Sequence, residues 1–252
     1  MKNWLTSTDV FRMAAEVYSD RKLRLFGCAC CRRWPTHLNA WGLELLEAAE
    51  GYADGLVNAE HLEALRSRLE GSLHYASRYE RSVFMKFAAV AAADTDPAGP
   101  VVAAYMAALP RDRSVSEGPR TLQEVSREKW RRAWYDFSNG VVLFLSRFLP
   151  RWFFWPRAEA QAQADLLRDI WNPSPPAMPT ILGVHGDLVS HLATAAYEER
   201  CPSSGHLETG RLAVLADALE EAGVGGPLLA HLRSAGPHVR GCWPVDLLLG
   251  KG

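Results

Sequence analysis

The chain has no apolar run long enough to cross a bilayer as a helix, which needs about 20 residues. Its most apolar stretch, Val141 to Trp155, is short and broken by Arg147, Pro150 and Arg151. It carries almost no net charge, with a formal value of -1, so no global field draws it to nucleic acid or acidic lipid. It shows no period-2 alternation of apolar and polar residues, the signature of a half-buried sheet. An apolar leader is missing from MKNWLTSTDVFRMAAEVYSD, which carries acids early. Five cysteines are an odd number, and three of them crowd into CACC at Cys28, Cys30 and Cys31, which excludes a secreted disulfide framework. Together these features predict a protein of the reducing cytoplasm.

Signatures of known catalytic mechanisms are absent too. There is no GxxxxGK[ST], no GxGxxG and no HExxH. The glycine-rich GVGGP, Gly223 to Pro227, lies between predicted helices without a preceding strand and reads as a helix end and turn. GVHGD, Gly183 to Asp187, lacks the serine of a nucleophile elbow.

What is present is helical punctuation. Ser7 or Thr8 can cap a helix through VFRMAAEVYS, and Asp20 one through RKLRLFGCACCRRW that stops at Pro35. In the latter, Leu23, Phe26, Cys30 and Trp34 recur at helical spacing and predict one buried stripe. AWGLELLEAAEGYADG continues the pattern to Gly55, and Asn58 can cap a fourth helix that sets Leu62, Leu65 and Leu69 on one face. Thr121 and Glu124 have capping-box spacing at the head of a long helix. AEAQAQADLLRDIW follows, then the proline-rich NPSPPAMPT, then DLVSHLATAAYEER, TGRLAVLADALEEAG and PLLAHLRS. The expected fold is all-α: a multi-helix bundle or irregular helical array (residues 1–171), a linker (172–180) and a smaller C-terminal helical subdomain (181–252). If the two ends pack on each other, the chain is one folding unit.

Three stretches carry a resemblance. DRKLRLFGCACCRRW near the N-terminus, YEER with RLAVLADALEEAG, and the terminal GPHVRGCWPVDLLLGKG are similar to a family of uncharacterised bacterial proteins, and AEAQAQADLLRDIWNP fits the same pattern. The resemblance implies a bacterial source and carries no activity. Pro244 stands where that pattern leads one to expect an aliphatic residue, which puts the local backbone in question. RLAVLADALEEAG is also similar, over about a dozen residues, to short helical repeat modules regarded as interaction modules.

Two groups of residues could carry function. Cys28 and Cys31 lie three apart on one helix and share a face. With His238 and Cys242 they would complete a Cys₃His zinc site joining the two ends, or a thiol centre with His238 as base. The bland alternative is that these thiols are small core hydrophobes. The second group lies between Arg111 and Arg157, where basic residues exceed acids by five. Trp130, Arg131, Trp134, Arg151, Trp152 and Trp155 interleave aromatic and guanidinium groups there. That mixture suits a protein interface, or single-stranded nucleic acid, or simply a long amphipathic helix. Asp217, Glu220 and Glu221, with Glu198 and Glu199, could pair acids for metal or acid–base work, but acids near helix ends are more often a solvated face.

The first functional reading is therefore a non-catalytic helical module that binds a protein partner in a regulatory or accessory role. The alternatives are a zinc-binding or thiol-dependent protein centred on Cys28, Cys31, His238 and Cys242, and single-stranded nucleic-acid binding through the Arg/Trp segment.

Overall fold

A computed structural model describes residues 4–73, 89, 92–93, 157–176 and 186–251. The fold is all-α. Among these residues every regular element is helical, and the sole strand-like pairing is an isolated antiparallel bridge between His206 and Val239. The helices are α1 (Val10–Ala14), α2 (Asp20–Arg32), α3 (Ala40–Ala53), α4 (Ala59–Leu73), α5 (Arg157–Ile170), α6 (Gly186–Glu198), α7 (Thr209–Glu221), α8 (Pro227–Leu232) and α9 (Trp243–Leu248), with a 3₁₀ turn at Pro35–His37.

Their starts follow local hydrogen bonding. Ser19, rather than Asp20, caps α2: its hydroxyl accepts from the Lys22 amide, and Asp20 becomes the first helical residue, where its charge suits the positive end of the helix dipole. Asn39 and Asn58 accept from the amides of Gly42 and His61. Asp9 accepts from the Arg12 amide, and α1 is only five residues long, ending well short of the predicted Ser19. The C-terminal segment closes with α9, which the sequence did not single out as a helix. Pro244 lies in its first turn, where an amide would have no intrahelical acceptor, so the ring costs the helix no hydrogen bond.

The apolar side chains gather into two clusters. One is built from α1 to α5, with α1 on α5, α2 on α3 and α5, and α3 on α4. Leu45, Leu46, Leu166, Leu167 and Ile170 are fully enclosed in it. Each such side chain contributes about 1.5–3 kcal/mol of burial free energy. The other is built from α6 to α9. Val239 joins the first cluster, while Cys242 and Trp243 join the second, so the segment before α9 lies against both.

Helix α2 is buried on all sides rather than along one stripe. Leu23, Phe26 and Cys30 are enclosed as the spacing predicts, with Trp34 partly so, but Lys22, Arg24 and Arg32 are enclosed as well. Buried charge is tolerated only when paired, and each finds acceptors. The Lys22 ammonium meets Asp246 and donates to the Gly241 carbonyl (2.9 Å). Arg24 donates to the Ala92 carbonyl (3.2 Å). Arg32 donates to Glu50 (2.6 Å) and to the Pro202 carbonyl (2.7 Å). Beside them Asp54 receives Arg21 (2.9 Å), Arg240 (2.8 Å) and the Tyr197 hydroxyl (2.8 Å). This network ties α2 and α3 to α6, to the loop after it and to the C-terminal segment. Gly241 is required where it stands: its φ is +91°, and an added Cβ would lie 2.7 Å from Leu25 Cδ1.

Candidate metal centre

Four side chains with metal-ligating atoms converge between the two apolar clusters. Asp169 is the penultimate residue of α5. His231 lies in the last turn of α8, His238 in the following segment, and Cys242 at the N-terminal cap of α9. One donor atom from each lies within 4.8 Å of all the others, so this buried Asp/His/His/Cys group can hold a metal ion.

The local chain explains the convergence. A turn closed by the Cys242 amide on the Val239 carbonyl (2.9 Å) sets His238 and Cys242 on the same side. The Leu207 amide bonds the His238 carbonyl (2.9 Å) and pins the segment from outside. Gly236, at φ +87°, lets the chain fold back so tightly that a Cβ there would lie 2.9 Å from the His238 amide nitrogen. Asp169 holds the segment to α5: its Oδ2 accepts the Val239 amide at 2.8 Å.

The other carboxylate oxygen organises the centre. Asp169 Oδ1 lies 2.9 Å from His231 Nε2 and 3.0 Å from His238 Nδ1. Cys242 Sγ lies 3.6 Å from the same His231 nitrogen and 3.8 Å from the same His238 nitrogen. On the far side of each ring, His238 Nε2 faces the Ser234 carbonyl at 3.1 Å, and His231 Nδ1 accepts from the indole N–H of Trp243 at 3.2 Å. Asp169, His238 and Cys242 are buried, and His231 is the most exposed of the four, its side chain 20% accessible.

Burial and partners set the charges. Burial opposes ionisation of Asp169, yet the hydrogen bonds from His231 and His238 outweigh it and hold the carboxyl below its usual range. Burial likewise works against a charged His238, but the adjacent Asp169 carboxylate raises its value overall. Cys242 is pushed well above an ordinary thiol, first by burial and then by the negative Asp169, so without a cation it remains a thiol.

This geometry bears on the thiol-catalysis alternative. A nucleophile–base–acid relay needs the thiol on one ring nitrogen and the carboxylate on the other. Here Asp169 and Cys242 approach the same nitrogen of each histidine. A proton cannot be relayed through either ring, whereas a single ion could contact all four atoms.

Of the residues singled out by sequence, His238 and Cys242 are in this group, while Cys28 and Cys31 are not. Their places are taken by Asp169 and His231. The α2 thiols are wholly buried in the first apolar cluster. Burial pushes Cys28 and Cys30 far up and Cys31 up to about 12, so all three pack as protonated apolar groups. One signal for His231 was readable: the H-x₆-H-x₃-C spacing is compact enough for a single fold-back. Nothing local marks Asp169, which is 62 residues before His231. The acids Asp217, Glu220 and Glu199 pair with Arg233 and Arg211 on the surface, as a solvated face does. Trp130, Arg131, Trp134, Arg151, Trp152 and Trp155 lie outside the described residues, as does the Thr121 to Glu124 capping box.

No helix among the described residues is long and apolar enough to cross a membrane. Comparisons of the chain with protein-family models, with curated proteins and with solved structures return no match.

Proposed function

We propose that the protein is a helical scaffold closed by a structural zinc ion held by Asp169, His231, His238 and Cys242. The observation that carries this reading is the approach of one carboxylate oxygen and one thiol sulfur to a single nitrogen of each of two histidines. One thiolate, two imidazoles and a carboxylate form a mixed donor set of the borderline softness that suits zinc, not the all-oxygen set of calcium or magnesium. The separations bracket the edges of a tetrahedron with bonds of about 2.0–2.3 Å. The carbonyl of Ser234 behind His238 is the outer partner that metal-bound histidines commonly have. Four protein donors and a buried location leave no position for a substrate, which favours a structural role over a catalytic one. The ion would join the end of α5 to the segment between α8 and α9, where the two apolar clusters meet.

The test is elemental analysis of untagged protein purified without chelator. About one zinc per chain is expected, lost in Cys242→Ser and in Asp169→Ala but kept in a Cys28→Ser/Cys31→Ser double variant. A metal-free wild type that takes up no zinc on reconstitution, or zinc that leaves with the α2 thiols, would overturn the assignment. A protein-binding role through the Arg/Trp segment stands as a second proposal on sequence grounds alone, and the centre neither requires nor opposes it.

A further inference from the structure

The two histidines of the centre are not held alike, and the difference lies in their outer partners. His238 Nε2 faces a backbone carbonyl, that of Ser234, at 3.1 Å. A carbonyl only accepts, so Nε2 carries a hydrogen there, and the Asp169 carboxylate on the inner side accepts from Nδ1 at 3.0 Å. His231 is the reverse. Its outer nitrogen, Nδ1, lies 3.2 Å from Trp243 Nε1. An indole N–H only donates, so Nδ1 is the acceptor and the proton of a neutral ring is on Nε2. That proton points at Asp169 Oδ1, 2.9 Å away. Both rings thus donate to Asp169, but Ser234 can keep its hydrogen bond when His238 offers Nδ1 to a metal, whereas Trp243 cannot when His231 offers Nε2.

We infer that Trp243 is a positioning residue that latches His231 in its Nε2–H form and so opposes metal uptake. A metal ion takes an imidazole through a lone pair. For His231 to ligate through Nε2, its single proton must move to Nδ1, where it meets the indole N–H donor to donor. The indole then gives up its hydrogen bond. This inference rests on the zinc reading of the same centre and adds its regulation: the latched, hydrogen-bonded form and the metal-bound form exclude each other. Trp243 is well placed to act this way. It is the first residue of α9, is nearly buried, and its ring lies 5.3 Å from that of His231 at an interplanar angle of 60°. A metal-driven shift of the indole would be felt in α9, which also carries Asp246, the acceptor for Arg21 and Lys22.

The experiment compares the wild type with Trp243→Phe, which keeps an aromatic ring beside His231 and removes the N–H. Zinc affinity is measured by competition with a chromophoric chelator. In parallel, nitrogen-15 NMR of the His231 ring and the Trp243 indole is recorded on metal-free and zinc-loaded wild type. The latch predicts roughly three- to tenfold tighter zinc binding by Trp243→Phe, the worth of one released hydrogen bond. It also predicts that the metal-free His231 is protonated at Nε2, and that the indole N–H resonance moves on zinc addition. Equal or weaker binding by a folded variant overturns the latch. Should the variant not fold, a metal-free wild-type His231 protonated at Nδ1 overturns it alone. No zinc uptake by either protein would instead defeat the zinc reading itself, and the latch with it.

Discussion

At the scale of single residues, the described part of the molecule is governed by charges that are enclosed and matched. Asp54 is the clearest case. Burial alone would raise its carboxyl, yet Arg240, Arg21 and the Tyr197 hydroxyl hold it below the ordinary carboxylate range. A depressed folded value contributes stability that is fully present above the unfolded value, about 3.9, and is lost as pH falls through the folded value. Urea unfolding across pH should therefore show wild-type stability declining below about pH 4. Asp54→Asn, less stable near neutrality, should lose less over that acid range. An unchanged acid slope in the variant would show that Asp54 is not a principal source of it. The paired arginines of this network could not be anticipated from the sequence, because their partners come from segments up to 225 residues away. Charged residues inside the CACC-bearing helix read as solvent-facing until the surrounding elements are known. Asp169 was hidden for the same reason: nothing near RDIW marks that acid as different from Asp165 four residues earlier, which pairs on the surface with Arg168.

At the scale of elements, much was legible. Apolar and helical patterning located α2 to α8, and Asn58 caps α4 as read, because those signals are local, although the α2 cap is Ser19 and not Asp20. The end of α1 and the existence of α9 were not legible. Helix α1 stops where Glu16 and Val17 form a turn on Met13 and Ala14 instead of continuing. Helix α9 has six residues, too few for a periodic pattern, and its start is fixed by the turn that carries Cys242. The element that matters most is the C-terminal end of α5, where two neighbouring residues do different work. Ile170 fills the first apolar cluster, while Asp169 holds Val239 and both histidines. Ile170→Ala should cost about 2–5 kcal/mol through the cavity it leaves. Asp169→Ala should cost a comparable 3–5 kcal/mol, by leaving buried polar groups without their partner. The two are separated by zinc: added metal should partly restore neither Asp169→Ala nor its midpoint, but should raise the denaturation midpoint of Ile170→Ala. Restoration of Asp169→Ala by zinc would mean that the carboxylate is dispensable to the centre.

At the scale of the whole molecule, two apolar clusters meet along the segment from His238 to Trp243, and the Asp/His/His/Cys group lies at that meeting. The sequence pointed to its C-terminal half, in His238 and Cys242, and to the idea that distant parts of the chain are joined there. It paired that half with the α2 thiols because CACC is conspicuous, whereas the structure gives those thiols to the core. An ion that binds only the folded centre stabilises it by mass action, by about 4 kcal/mol at a thousandfold excess over its Kd. For a chain of this length that corresponds to roughly 10 °C in midpoint. The most direct measurement is thermal unfolding of chelator-stripped wild type and Cys242→Ser, each with and without stoichiometric excess zinc. A closed zinc centre predicts an upward shift of that order in the wild type, reversed by chelator and absent in Cys242→Ser. Identical midpoints for the wild type with and without zinc would contradict it.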